Sequence, residues 1–566
     1  MFESLVQPVC PSIQDWQEAG ASLVAALDKY LGLCCSLRAR SLKEGTPLKD
    51  LAAQINLSLK MLQPTLDQQV ALARSTLSQT RNQIMSPICC FPEEVLLEIF
   101  SRVIYTPPNP SKPTPMQEGL VNMHRSLHSL LGVCTTWRNA ALHHKPFWST
   151  IPIIGPNPPP LAWKFTQSLE LGLERSGNLD LHLAAILSDQ WHGHISNLAD
   201  HASRFRTINV TAKTRSAIRV FVGPFLRLGP ARKLSDLSIQ LQDEEETSNT
   251  IPQFYDYLSR PADPNRDHVH FNEMLNGLSV LRISGALIHF DKLAFSSKLV
   301  KLQIQEVTLG HDAEIAKLMN ALSSANQLRD LSIISVISFP DQADAPIQNI
   351  SLPNLEHLLI RDLYNNTIHQ ILDSISTSSH HLTLHLTRIC VLAQHAREPE
   401  PEDIGAEDVC ELLTRVSVHT LLIDGEDENE WLDWTDIEEM MRIMPDLKSL
   451  QFYFWDLDEN VCEALTRPKL RSNHQKLSLP ALENIHISWS RIWDEECFKN
   501  MVESYSGSLR RMVLGASIEN HSEGDFDSLA GDEDLVTWLE ANVPEFELVD
   551  NLYTPPEFLS PEWELW

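Results

Sequence analysis

The chain has 566 residues, of which 43% are apolar and 21% charged, enough to fill several buried cores, which excludes one small domain and a wholly disordered chain. Ten cysteines are too few for a disulfide scaffold, and the adjacent pairs Cys34–Cys35 and Cys89–Cys90 lack the two-residue spacing of a zinc site, so a reducing compartment is expected. The formal charge of −30 is concentrated in the last third, since residues 1–150 carry +2, 151–397 carry −3 and 398–566 carry −29; that region would repel phosphate backbones and suits a solvated surface or a basic protein partner, not nucleic acid.

The N-terminus, MFESLVQPVCPSIQDW, lacks the basic start and apolar stretch of a secretion signal, and no run of eighteen uninterrupted apolar residues is present. No membrane association is expected, and the chain is read as cytoplasmic or nuclear. From Leu48 onward Ile55, Leu59, Leu62, Leu66, Val70, Ala73 and Leu77 recur three or four residues apart, which predicts helix. Pro64 removes a backbone donor inside it and predicts a kink or break. Residues 1–86 are therefore read as a helical lead-in that either packs on its own chain or self-associates as a coiled coil.

In SPICCFPEEVLLEIFSRV, Pro92 suits a first helical turn, and Glu93 and Glu94 suit the positive end of a helix dipole. Val95, Leu96, Ile99, Phe100 and Val103 then form a broad apolar stripe. A proline-rich loop at 106–115 follows, then a helical pattern through Leu127, Leu130, Leu131, Cys134, Trp137 and Ala141, then the run KPFWSTIPI.

Together these residues resemble an F-box. The matching pieces are Phe91-Pro92-Glu93-Glu94, Ile99-Phe100, Val133-Cys134-Thr135-Thr136-Trp137-Arg138 and Phe147-Trp148, in the family's order. Phe91 replaces the common leucine, and the loop between the first two helices is longer than usual. The resemblance covers residues 87–153. It implies a three-helix module binding a Skp-family adaptor and, through it, a cullin, with Pro92, Leu96, Ile99, Phe100, Val133, Trp137 and Trp148 building or contacting the adaptor surface.

Residues 154–200, opening on GPNPPP, are read as a linker and the entry to repeats. From 201 to 548 an apolar-x-x-apolar-x-apolar pattern recurs, as in Leu278-x-x-Leu281-x-Ile283, Leu299-x-x-Leu302-x-Ile304, Leu328-x-x-Leu331-x-Ile333 and Leu355-x-x-Leu358-x-Ile360. Three copies open on Leu352-Pro, Met444-Pro and Leu479-Pro. Helix-compatible runs lie between them, so each unit reads strand, loop, helix; one unit cannot bury its apolar face alone, whereas a stack can. The region resembles an irregular leucine-rich-repeat domain, with uneven spacing, the strand-closing asparagine mostly missing, and 380–415 hard to assign. The predicted fold class is α + α/β, a helical region and three-helix F-box followed by an irregular leucine-rich-repeat solenoid.

No nucleophile elbow, His-Glu-x-x-His, phosphate loop or dinucleotide fingerprint is present. The run Asp424-Gly-Glu-Asp-Glu-Asn-Glu lacks the glycine and glutamate positions of a calcium loop. The pairs His143-His144 and His380-His381 point their rings apart on either regular element, and Asn209 and Asn349 open Asn-x-Ser/Thr triplets that carry no weight in a non-secreted chain. No cofactor, metal or catalytic residue is therefore expected. The acidic, aromatic tail is read as capping the last repeat as far as Leu548; residues 549–566 are left between cap and partner-binding peptide. The resemblance implies a substrate-recognition subunit of an SCF-type (cullin-RING) E3 ubiquitin ligase, non-catalytic, whose repeats hold an unknown protein substrate. The alternative is a repeat scaffold with no ligase role.

Overall fold

The computed structural model describes residues 10–85, 87–107, 113–155, 162–188, 198, 200–227, 233–242, 250–258, 267–291, 293–341, 349–376, 380–398, 400–425, 431–468, 479–520, 525–531, 533–559 and 562–565. The GPNPPP segment after Gly155, residues 108–112 of the proline-rich loop and the acidic run at 426–430 lie outside them. The chain divides into two compact units, Met1–Leu96 with Cys134–Thr136, and Leu97–Val133 with Trp137–Trp566.

In the first unit, α1 (Pro11–Lys43) and α2 (Leu48–Met85) are joined by a short turn with Gly45 at φ 75°. Pro64 does not break α2, which stays helical on both sides, with Thr65 Oγ1 donating to the Met61 carbonyl at 2.7 Å. The carbonyl the proline leaves without its intrahelical donor is on a solvent-exposed turn, where it is open to hydration and the lost bond costs little. Both helices carry exposed apolar residues, among them Trp16, Leu31, Leu57 and Met61. Helix α1 also has an 18-residue window of mean hydropathy 1.2 with at most two charges, so among the described residues it alone is long and apolar enough to cross a membrane, with Asp28 and Lys29 at mid-helix. Absence of an uninterrupted apolar run therefore excluded less than expected.

Helix α3 (Glu93–Tyr105) begins where Pro92 predicted, the Pro92 carbonyl accepting from the amides of Val95 at 3.1 Å and Leu96 at 3.2 Å. Helices α4 (Met116–Val133) and α5 (Thr135–His143) follow, then the single turn Lys145–Trp148.

The repeats are real and begin early. One sheet contains β1 (Thr150–Ile154), β2 (Leu181–Leu187), β3 (Phe205–Ala212), β4 (Asp236–Leu241), β5 (Val280–Ser284), β6 (Lys301–His311), β7 (Asp330–Phe339), β8 (His357–Arg361) and β9 (His381–Leu386). After a small pair, β10 (Leu392–Ala393) and β11 (Glu402–Asp403), the sheet continues with β12 (Thr420–Asp424), β13 (Ser449–Tyr453), β14 (Asp456–Leu457), β15 (Asn484–Ile492) and β16 (Arg511–Asn520). It closes with β17 (Asp525–Ser528), antiparallel to β16, and β18 (Glu545–Leu548), parallel to it. The strand ladder thus starts at Thr150, ahead of the boundary placed at residue 201: β1 begins in the segment assigned to the F-box, and β2 falls in the segment read as linker and entry to repeats.

Strand succeeds strand in parallel, as strand-helix units require. The apolar positions stack in register, Leu237–Leu281–Leu302–Leu331–Leu358 and Ile239–Ile283–Ile304–Ile333–Ile360, and bury against helices such as Asp312–Leu322 and Asn365–Ser374 in one core. The register slips by two residues between β9 and β12, where Leu384, not Leu382, pairs Leu421. The slip follows the segment that resisted assignment, which holds β10, β11 and the helix Ala406–Leu413.

Within or just after six of the strands, β5 to β8, β13 and β15, the chain turns through the left-handed region at an equivalent position, Gly285 (φ 64°), Glu306 (54°), Ser335 (47°), Asp362 (54°), Phe454 (58°) and Trp489 (51°), each two residues past the second inward side chain. The backbone keeps the turn although the asparagine that would ease it is absent. Gly425 occupies the same place after β12, and a Cβ there would collide with the Phe454 carbonyl of the next unit. Gly425→Ala is expected to destabilise the chain by about 1–3 kcal/mol through this overlap; a urea midpoint unchanged from wild type would refute the close approach.

Candidate protein-interaction surfaces

Helix α3 carries two apolar rows. Leu96, Phe100 and Ile104, at i, i+4 and i+8, are buried, Phe100 completely at 0% exposure. Its ring meets Trp137 at 4.9 Å. Val95, Ile99 and Val103 form the adjacent row, with Val95 43% and Val103 49% exposed and Ile99 half-buried. Of the predicted adaptor contacts, Pro92 and Val133 are exposed, while Ile99, Trp137 and Trp148 are half-buried. Leu96 and Phe100, an i, i+4 pair on the interior row, are core side chains, so of the two roles assigned to them, building that surface or contacting it, burial leaves only the first.

Trp148 acts as a brace. Its Nε1 donates to the Ala141 carbonyl at 3.0 Å, and the Arg175 guanidinium lies 4.4 Å above its ring. Tyr105 Oη donates to the Pro146 carbonyl at 3.3 Å, which ties α3 to the Lys145–Trp148 turn. Phe147 is buried in that turn, three residues before β1 begins.

The second surface is the face of the repeat sheet that points away from the helices. Its side chains alternate with the inward leucines and isoleucines. Register aligns Asn209, Ser238, Arg282, Gln303 and Ser332 in one row across β3 to β7. Across β8 to β15 it aligns Arg361, His385, Leu422, Gln451 and His486.

The C-terminal segment returns over this face. The Val549 amide donates to the Leu514 carbonyl at 2.9 Å. Tyr553 stacks on His486 with ring centroids 6.4 Å apart, and Thr554 Oγ1 lies 3.1 Å from Tyr453 Oη. The Phe558 ring sits 4.9 Å from Tyr453 and 5.0 Å from His385, and its carbonyl accepts from Arg361 Nη2 at 3.1 Å. At the far end Trp563 lies under the Arg282 guanidinium at 4.3 Å, and its Nε1 donates to Asn209 Oδ1 at 2.7 Å. Asn209 Nδ2 donates in return to the carbonyls of Glu564 at 3.0 Å and Leu565 at 2.8 Å. The Met116 amide, at the start of α4, donates to the Trp563 carbonyl at 2.7 Å.

Two titratable groups under the tail are perturbed by this enclosure. His385 is 2% exposed, and burial with the neighbouring Arg361 pulls its pKa down to about 3. Asp424 approaches its Nε2 only to 3.9 Å, too far to hold a proton there. Burial also lowers the Arg282 pKa, and the Glu564 carboxylate pushes it back up.

Sequence reasoning missed Asn209, which it had met only as the head of an Asn-x-Thr triplet. Its partner Trp563 is 354 positions away, and nothing local signals the pairing. Among the described residues no group of three or more His, Cys, Asp or Glu side chains is placed to hold a metal. The thiols of Cys410 and Cys462 are pushed up to about 12, chiefly by burial, which makes them inert core groups.

No family model matches the chain and no curated protein matches it. Among solved structures it is similar to the one titled "Crystal structure of TLR13-ssRNA13 complex", at 11% identity and a TM-score of 0.23, covering 56% of this chain and 46% of that one. The chain thus spans less than half the length of that neighbour. The leucine-rich-repeat-like character rests on the strand ladder and its repeated turns, not on this likeness.

Proposed function

We propose that the chain is a non-catalytic substrate receptor of an SCF-type ubiquitin ligase, with the module at 87–153 binding a Skp-family adaptor and the repeat sheet holding a protein substrate. The observation that carries this reading is the outward row Val95, Ile99 and Val103 with Pro92 before it. Apolar side chains at that exposure, on a helix whose other row already fills the core, are surface that another polypeptide would cover. The motif pieces from Phe91 to Trp148 supply the kind of partner. Chemistry would then come from proximity, the receptor raising the effective concentration of substrate lysines near the charged enzyme. A cytoplasmic or nuclear location belongs to the same proposal.

The test is capture of the full chain on an immobilised Skp-family adaptor. Wild type is expected to bind, and Val95→Asp with Val103→Asp to lose at least tenfold in capture while its stability moves little, as exposed substitutions do. Absence of binding by the wild type, or equal binding by the double variant, rejects the ligase reading.

The alternative, a repeat scaffold without a ligase, is favoured by one observation: within the second unit the Lys145–Trp148 turn runs directly into β1, and Trp148 is clamped by Arg175, so this part of the module also caps the first repeat. Capping and adaptor binding use different rows of side chains, and the same capture assay separates them.

A further inference from the structure

We propose that the helix-free face of the repeat sheet is a receptor for an extended acidic peptide carrying two aromatic residues about five positions apart, and that residues 549–559 and 562–565 occupy it as an intramolecular competitor. The inference deepens the substrate-holding part of the reading above and is independent of the adaptor.

The face has three fittings, each engaged by the tail through groups that any peptide of that kind would present. Asn209, 3% exposed, spends both ends of its amide on the tail, and two of those bonds go to main-chain carbonyls. A main-chain clamp of this sort reads an extended backbone and not its sequence. Arg282 lies over the indole of Trp563, a cation–π contact that asks for an aromatic guest. The second aromatic site is the notch between Tyr453 and His385 that holds Phe558, where Arg361 again takes a main-chain carbonyl.

Charge supplies the acidic preference. Between tail and sheet lies an open cleft of about 540 Å³ with Arg282, Lys301, Gln303 and the single carboxylate Asp236 on the sheet side and Glu562 and Glu564 on the tail side. Two cations against one carboxylate leave the sheet side of the cleft net basic, so a basic partner, which the net charge of the last third suggests, would be opposed here and an acidic one favoured. His385 is the sign that the tail is an imperfect guest. Neither ring nitrogen has a hydrogen-bond partner, although the side chain is buried beneath Phe558. A buried imidazole without a partner costs stability, and a guest with a hydroxyl or carboxylate at that position would satisfy it. The cleft and the unsatisfied ring are what an exchangeable occupant leaves, whereas a permanent cap would fill both.

The experiment titrates a fluorescent synthetic peptide of residues 549–566 into the full chain. Wild type is expected to bind weakly, because its own tail sits at millimolar effective concentration. The full-length variant Phe558→Ala with Trp563→Ala is expected to bind the peptide at least tenfold more tightly, and a peptide with the same two changes not to bind. Equal peptide binding by wild type and variant, or no binding by a folded variant, overturns the proposal and marks the tail as a structural cap. If the variant does not fold, hydrogen exchange of residues 553–559 in the wild-type chain decides: excess peptide is expected to raise it, and unchanged exchange overturns the proposal. Neither readout involves the adaptor, so failure here leaves the capture assay to judge the ligase reading separately.

Discussion

Phe100→Ala is expected to lower the unfolding free energy by about 3–5 kcal/mol, the largest effect of any single substitution in the helical module. The ring is fully enclosed and packs on Trp137 at 4.9 Å, so truncation removes a large transfer term and leaves a cavity beside a bulky indole that cannot collapse into it. Val103→Ala, three positions on, removes a half-exposed side chain and is expected to cost less than about 0.5 kcal/mol. Urea unfolding of the two variants checks the pair. Equal midpoints would mean that the two rows of α3 are not distinct, and the claim that the outer row is free for a partner would fall with that result. The comparison matters because aspartate at Leu96 or Phe100 tests folding, whereas aspartate at Val95 and Val103 tests binding.

The two rows explain what was legible in the sequence and what was not. Val95-Leu96 and Ile99-Phe100 place apolar residues side by side, so spacing alone gives a broad stripe without saying which half faces in. That depends on long-range neighbours such as Trp137, which local periodicity does not contain. In the repeats the opposite holds. Leu281-x-Ile283 and its counterparts repeat a pattern of period two, and pattern, register and burial agree.

Misses have physical reasons too. Before β2 and β9 the leading apolar position is polar, Asn178 and Ser379, so neither strand announced itself. At β1 the pattern Trp148-x-x-Ile151-x-Ile153 was present, but the F-box resemblance had absorbed it. The tail was read only as far as two alternatives, since its alternation of acid and aromatic is equally consistent with a cap or a ligand. The groups that receive it, Asn209, Arg282, Arg361 and His385, lie far upstream and carry no local signal of the pairing.

The tail is expected to dock more weakly in acid, by about tenfold between pH 7.5 and 5.5. The sign follows from His385. With Phe558 in place its pKa is held near 3, below the ordinary value of 6.5, by burial first and Arg361 second; once uncovered it regains an ordinary affinity for protons. The undocked state therefore binds more protons between those two values, and lowering pH through 6.5 favours release, a contribution fully present above 6.5 and lost on the way down to 3. The groups around the ring are few: Arg361 on one neighbouring strand opposes protonation, while Asp424, 3.9 Å from Nε2, is the only carboxylate near enough to favour it among the described contacts. His486, under Tyr553, is shifted the same way by burial, with Glu557 pulling against it. His385→Gln, neutral at every pH, is expected to flatten the profile to the residual slope that His486 supplies. The readout is hydrogen exchange of residues 553–559 across that pH range, normalised to unstructured peptide. A flat wild-type profile, or one that His385→Gln leaves unchanged, would show that the ring is not what couples the strap to protons.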